Sequence, residues 1–323
     1  MRAVYCIQYG GVENLKIVDA PTPILGKKDI LVQVFGSSVQ TADWRIRTLQ
    51  MPDGMKFLAR LFFGFKSPKQ PIFGTEFAGR VVAIGDSVTR FKIGDDVVAA
   101  TGAKYGAHAE FAKISEDGVL TKKPSSLKFE DVASLPFGGI TALDFLKYKA
   151  KVGSGDKVLI NGASGAVGVA AIQIAKILGA HVTAVCGTQN ADFVKSLGAD
   201  RVIDYTKTKF WDQNEKYDVI FDIVGELKIS HFLSALAEKG KLVLIAAGIS
   251  QMLEAVVRNL FSNRKILCGV TSESKEMLAE IVSLTESGKF RAIIAKEFPL
   301  DEIAQAHLLV ESRHKRGNVV IRN

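Results

Sequence analysis

The stretch Val158-Leu159-Ile160-Asn161-Gly162-Ala163-Ser164-Gly165-Ala166-Val167-Gly168, followed by the apolar run Val169 to Leu178, decides how this chain is read. An apolar strand breaks into small residues and then opens a helix. The first N–H groups of such a helix have no partner inside it, which is the geometry that receives a pyrophosphate. Against the pattern G-x-G-x-x-G the chain places Ala163, Gly165 and Gly168, with Gly162 just ahead. Gly165 lets the backbone approach the phosphates, and Gly168 lets the helix pack closely on the strand.

Outward from that stretch, strands and helices alternate. Strand candidates fall at Val158 to Ile160, Val182 to Val185, Arg201 to Ile203, Val219 to Asp222, Leu242 to Ile245 and Ile266 to Cys268. Helical runs lie between most of them, at Ala191 to Leu197, Ile229 to Ala237 and Leu253 to Phe261, and one or two more precede them over Phe129 to Leu146. Six strands so connected predict a doubly wound parallel sheet over residues 124–269. Residues 1–123 read differently. Short strands at Ala3 to Ile7, Leu15 to Val18, Ile30 to Phe35, Gly79 to Ile84, Asp96 to Ala99 and Glu110 to Ile114 are separated by Gly and Pro turns, the pattern of a small antiparallel barrel. Residues 270–323 follow the sixth strand with helix, strand, helix and strand, and are expected to return to the first domain.

The bulk numbers agree with two globular domains: 323 residues, 47% of them hydrophobic. Cys6, Cys186 and Cys268 are far apart and form no zinc spacing, so neither a disulfide framework nor a structural metal is expected. Met1 to Tyr5 runs straight into a strand pattern, and no apolar run reaches membrane-spanning length, which predicts a cytoplasmic protein. The net charge of +8 suits an anionic ligand. Its Lys and Arg residues are scattered and lack interleaved aromatics, so nucleic acid is not the expected partner. Gln50 to Gln70 breaks the barrel pattern with Phe57, Leu58, Leu61, Phe62, Phe63 and Phe65 among Lys56, Arg60 and Lys66. It reads as a short amphipathic helix, either a packed lid or interface element or a contact at 56–66 with a membrane surface or a large apolar substrate.

The end of the second parallel strand selects between nicotinamide cofactors. An acidic residue there binds the ribose 2′-hydroxyl of NAD, but the chain reads Val185-Cys186-Gly187-Thr188-Gln189-Asn190. A 2′-phosphate avoids a carboxylate and takes hydrogen bonds from Thr188, Asn190 and backbone N–H groups. NADP(H) is the expected cofactor.

Further motifs stand at Gly74-Thr75-Glu76-Phe77-Ala78-Gly79, Val88 to Asp95, Gly139-Ile140-Thr141-Ala142, Leu197-Gly198-Ala199-Asp200, Tyr217 to Asp222 and Arg316-Gly317-Asn318-Val319-Val320. With Gly162 to Gly168 they span nearly the whole chain, and in this order they resemble the medium-chain dehydrogenase/reductase superfamily, specifically its zinc-free quinone oxidoreductase branch. The resemblance implies a GroES-like antiparallel β-barrel joined to a six-stranded doubly wound Rossmann domain. The zinc relatives place a Cys early in the barrel and a His before a Glu. This chain has Ser37 to Asp43 and Thr75 at those places, so both ligands are missing.

By the same resemblance Thr141 lies near the nicotinamide ribose or amide, Ser164, Gly165, Ala166 and Val167 at the pyrophosphate, and Tyr205 beside the 2′-phosphate. Ala246, Ala247, Gly269 and Asn318 face the nicotinamide half. Gln40 and Asp43 border the pocket as the catalytic candidates, Gln40 standing where many relatives carry Asn, while Asp43 reads more readily as a structural carboxylate that satisfies loop N–H groups than as an acid. No residue has the signature of a dedicated proton donor, and Tyr105 and Trp44 are candidate pocket walls. The activity implied is hydride transfer from NADPH to a quinone or an α,β-unsaturated carbonyl, in a homodimer. The alternatives are an enoyl-thioester reductase and a non-catalytic NADPH-binding structural or regulatory protein at a membrane surface.

Overall fold

In the computed structural model, which describes residues 1–323, the chain forms two compact units. The first comprises Met1–Met51, Phe57–Ile140 and Glu273–Asn323; the second comprises Pro52–Lys56 and Thr141–Ser272.

The first unit holds strands β1 (Arg2–Cys6), β2 (Leu15–Asp19), β3 (Asp29–Val39), β4 (Glu76–Ile84), β5 (Asp96–Ala100), β6 (Phe111–Ser115) and β7 (Val119–Lys122). In the second unit lie β8 (Lys157–Asn161), β9 (His181–Cys186), β10 (Arg201–Asp204), β11 (Tyr217–Asp222), β12 (Leu236–Leu244) and β13 (Lys265–Cys268). The tail adds β14 (Ile294–Pro299) and β15 (Asn318–Arg322) to the first unit.

The barrel is organised by β3, whose eleven residues pair with β6 over Asp29 to Gln33, with β15 over Gly36 to Val39 and with β4 along most of its length. Its register against β4 shifts between Val34 and Gly36, a bulge that lets one strand serve two partners in turn. Inward residues of these strands, Ile30, Val32, Phe77, Val97 and Leu120, form the barrel core. The pairing also brings the ends of three neighbours together: Ser37 lies opposite Phe77 on β4 and Val39 opposite Val319 on β15. The tail enters the barrel sheet through β15, which pairs with β3. β14 and β15 run parallel, because the helix Ile303–Glu311 joins them and a crossover brings a chain back in the same direction.

The second unit is a six-stranded parallel sheet in the order β10-β9-β8-β11-β12-β13. Strands covered on both faces need near-continuous apolar sequence, which Val158 to Ile160 and Leu242 to Leu244 supply. Leu159, Ile220, Phe232, Leu236 and Leu242 are at most 0% exposed in its core. Chain order reverses between β8 and β11, so their C-terminal ends flank the switch point where such sheets bind ligands.

The boundary at 124 is corrected to Ile140/Thr141, and the later one from 269/270 to Ser272/Glu273. The helices Phe129–Ala133 and Leu135–Ala142 explain the first shift. A Cβ on Gly36 of β3 would meet Ala133 Cβ at 3.1 Å, the Phe137 N–H donates to Glu76 of β4 at 2.6 Å, and Gly139 abuts Ile281. These helices pack on the barrel. Residues 52–56 join the second unit through the Ile249 N–H, which donates to the Asp53 carbonyl at 2.9 Å. Two smaller corrections concern β7, which the turn-rich pattern concealed, and the helix from Ile229, which stops at Ala235 where β12 begins.

Candidate functional site

The glycine loop is built from backbone. Gly162 turns the chain at φ +88°, and Gly165 is the extended N-cap of the helix Ala166–Ile177. No side chain caps that helix and no acid stands in its first turn, so its leading N–H groups are left for an anion. Gly168 and Gly165 are bare for different reasons. A Cβ on Gly168 would lie 2.3 Å from the Gly162 carbonyl and 2.6 Å from Ala163 backbone atoms, so internal packing demands glycine. On Gly165 a Cβ would meet only the Gly162 carbonyl, at 3.6 Å, so the fold itself leaves that side open. Ala166 and Val167 are buried under the loop.

Beyond β9 the expected 2′-phosphate donors are already engaged. The Asn190 amide donates to Ser164 Oγ at 3.2 Å and braces the glycine loop. The Thr188 hydroxyl donates to Asp204, the last residue of β10. Asp204 was missed by sequence reasoning, which looked for an acid only on the second strand. Hydroxyls of Thr188 and then Thr206 hold its carboxyl below the usual range. Tyr205 stands 61% exposed beside Gly187, and Lys207 Nζ lies 3.8 Å from Asp204.

At the switch point Asn161 and Asp222 are direct neighbours across β8 and β11, and the Asn161 amide donates to Asp222 at 2.7 Å. Asp222 also accepts from the Gly225 N–H at 3.0 Å, and burial pushes its carboxyl up. Gly225 packs against Ala246, which with Ala247 is buried after β12. Gly269, after β13, has φ +136° and nothing within 4 Å of an added Cβ. The three residues that follow are each tied to the helical stretch containing Thr141 and the π-helical turn Leu143–Lys149. Lys149 Nζ donates to the Val270 carbonyl at 3.1 Å, Thr141 and Thr271 share a hydroxyl contact at 3.1 Å, and the Ser272 N–H donates to Asp144 at 2.8 Å. Lys149 and Asp144 pair at 2.6 Å. A π turn adds one residue to the helical register, which suits a place where side chains must meet an incoming loop.

The barrel carries a second polar cluster, made of side chains from three segments. Ser38 and Gln40 follow the bulge in β3, Glu76 begins β4 and Asn318 begins β15. Gln40 Nε2 donates to Ser38 Oγ at 2.8 Å and Glu76 Oε1 at 2.7 Å, with Asn318 Oδ1 at 3.3 Å, while its own Oε1 has no partner. Ser38 donates to the same carboxylate oxygen of Glu76, and the Phe137 N–H holds the other. Burial pushes the Glu76 carboxyl up to about 7 against these three bonds. Lys315 is buried with its Nζ on the Gly317 carbonyl at 2.6 Å; burial lowers it to about 8, and Glu76 opposes the shift. In the sequence Glu76 stands out only as part of the Gly74 to Gly79 motif and Lys315 only as part of the basic cluster Arg313-His314-Lys315-Arg316.

Asp43 has another task. Its two oxygens accept from the Gln40 N–H at 2.7 Å and the Gly74 N–H at 3.0 Å, which caps the helix Thr41–Thr48 and fixes the loop before Glu76. Asn318 also donates to the Ile293 carbonyl at 3.2 Å, which ties it to the barrel. Trp44 and Tyr105 are core residues, packed with Val39 and Phe298 in one case and with Cys6, Ile46 and Phe73 in the other.

Two family models match the chain: "Alcohol dehydrogenase GroES-like domain" over residues 26–125 and "Zinc-binding dehydrogenase" over residues 197–321. The chloroplast envelope quinone oxidoreductase homolog of Arabidopsis thaliana is 32% identical, over 99% of this chain and 98% of its own. The chloroplastic NADPH-dependent alkenal/one oxidoreductase of the same plant is 30% identical, over 99% of this chain and 79% of its own. The structure of a quinone oxidoreductase from Coxiella burnetii superposes with a TM-score of 0.89 at 30% identity, covering 100% of this chain and 99% of that one. The zinc in one model's description finds no fitting donor set here. No three His, Cys, Asp or Glu side chains come together, and the buried barrel cluster offers a hydroxyl, amides and one carboxylate, already bonded to one another.

Proposed function

Because the chain belongs to the quinone oxidoreductase branch of the medium-chain dehydrogenase/reductase superfamily, we propose that it is an NADPH-dependent, zinc-free reductase of quinones or α,β-unsaturated carbonyls. The observation that carries this reading is the uncapped, acid-free helix start with open space at Gly165, which fits a dinucleotide pyrophosphate and serves no packing need. Relatives whose names contain NADPH, quinone and alkenal/one support the choice of cofactor and acceptor.

When bound, the nicotinamide supplies a hydride. The chain's own residues hold and orient. Gly165, Ala166 and Val167 offer backbone donors to the pyrophosphate, and Asn190 keeps Ser164 in place beneath it. With Thr188 committed to Asp204, the 2′-phosphate falls to Tyr205, Lys207 and backbone N–H groups. The ties from Thr141, Asp144 and Lys149 fix the segment after Gly269 on which the nicotinamide half rests. In the barrel, Glu76 is the group able to keep or release a proton near neutral pH, and Ser38 and Gln40 are bonded to it.

The test is a panel of quinones and enones offered to the purified protein with NADPH or NADH. Consumption of NADPH with at least one class, about tenfold faster than NADH, is expected. Binding of NADPH without turnover of either class would leave only a cofactor-binding role, and a preference for NADH would overturn the reading of the loop after β9.

A further inference from the structure

The helix Lys56–Phe63 turns an apolar face to solvent. At about 3.6 residues per turn Phe57, Leu58, Leu61 and Phe62 share one side of it, and Phe65 follows past Gly64. They are 68%, 38%, 49%, 71% and 55% exposed. The opposite side anchors the helix. Ala59 is buried, Phe63 meets Tyr105 edge-on at 6.0 Å, Lys69 Nζ donates to the Leu61 carbonyl at 3.1 Å, and the Lys69 N–H donates to the Phe63 carbonyl at 2.6 Å. The aromatic face is therefore held outward by its own backing.

The charge around it has one sign. Lys56 and Arg60 stand on the strip beside Phe57, Lys66 and Lys69 follow, all four are exposed, and no Asp or Glu occurs from residue 54 to residue 75. A second exposed apolar face, on the helix Ile249–Phe261, lacks this property: Glu254 pairs with Arg258 at 2.6 Å within it. No helix is long and apolar enough to cross a membrane. A short helix with outward Phe and Leu and a purely cationic border has the chemistry of an element that lies in an anionic bilayer surface, its rings at the acyl boundary and its cations on lipid phosphates.

We propose that residues 56–69 are a docking surface for anionic lipid membranes. The full chain should float with vesicles of phosphatidylcholine and phosphatidylglycerol and bind vesicles of phosphatidylcholine alone at least about tenfold more weakly. The double variants Phe57→Ser/Phe62→Ser and Lys56→Glu/Arg60→Glu should each abolish flotation. Phe57→Trp, which keeps the aromatic face, should bind and shift its emission to the blue on contact with the anionic vesicles. Four results would overturn the proposal: no flotation of the unaltered chain; flotation surviving both double variants, which would assign it to diffuse net charge; a smaller mass in solution for Phe57→Ser/Phe62→Ser, which would make a second copy the occupant; or no blue shift from bound Phe57→Trp.

Discussion

The glycine loop at residues 162–168 and the buried barrel cluster of Ser38, Gln40, Glu76 and Asn318 are both polar sites of this chain, but they are made of different material. The loop is backbone. Its donors are the unpaired N–H groups of one helix start, and its side chains matter mainly by being small. The cluster is side chains drawn from β3, β4 and β15, held by one carboxyl group that burial pushes up to about 7. A backbone site tolerates no bulk and is indifferent to pH; a side-chain site depends on each partner and titrates.

The largest expected effect breaks the loop. Gly168→Val places atoms where the carbonyl of Gly162 already is, and backbone cannot yield as a flexible side chain would, so a loss of about 4 kcal/mol or failure to fold is expected in thermal unfolding. Gly165→Ala sharpens the same point. Its backbone at φ −76° suits alanine and nothing is crowded, so stability should change by less than about 1 kcal/mol while NADPH affinity falls about tenfold or more. Unchanged affinity for Gly165→Ala, read by NADPH fluorescence, would remove the pyrophosphate from that position.

The cluster should respond next. Glu76→Ala leaves the Ser38 hydroxyl, the Gln40 amide and the Phe137 N–H without their acceptor, at a cost of about 3 kcal/mol in denaturant unfolding. In the native chain the unfolded state loses the Glu76 proton near the ordinary glutamate value, whereas the folded state keeps it until about 7. Stability from this group is therefore complete at low pH and falls as pH rises to about 7, by on the order of 3 kcal/mol at most. Asp43 and Asp222, also pushed up by burial, add the same sign, so the slope that disappears in Glu76→Gln is the part to read. The smallest effect is Lys315→Met. The folded state holds a charged lysine only below about 8, the unfolded chain up to the ordinary lysine value, so stability rises with pH between the two. Methionine should gain about 1 kcal/mol at pH 7 and nothing above that window.

The same contrast decides what could be seen in the sequence. The six parallel strands and the loop between β8 and its helix are local: apolar runs, small residues and a helical period lie within one continuous stretch, and all six appear in the structure, β12 alone starting well ahead of its expected place, at Leu236 rather than Leu242. The barrel cluster is not local. Nothing at Glu76 announces that a bulge in β3 turns Ser38 and Gln40 toward it, or that the tail sets Asn318, 278 residues after Gln40, beside them. That Asp43 serves loop N–H groups is legible in the sequence, but not which ones, because one of the two sits on Gly74, thirty-one residues away. The boundary near residue 124 was drawn at a change of texture, from β to helix, whereas the fold divides where packing changes, after Gly139 has closed against Ile281.

The central claim is that this loop holds a nicotinamide whose hydride is delivered to carbon or to a quinone, and NADPH deuterated at the transferred position tests it most directly. With an enone as acceptor, the product should carry the deuterium on its β-carbon, and Gly165→Ala should slow its formation while the protein stays folded. An enone reduced without deuterium on its β-carbon, or no reduction of any enone or quinone while NADPH remains bound, would contradict the account.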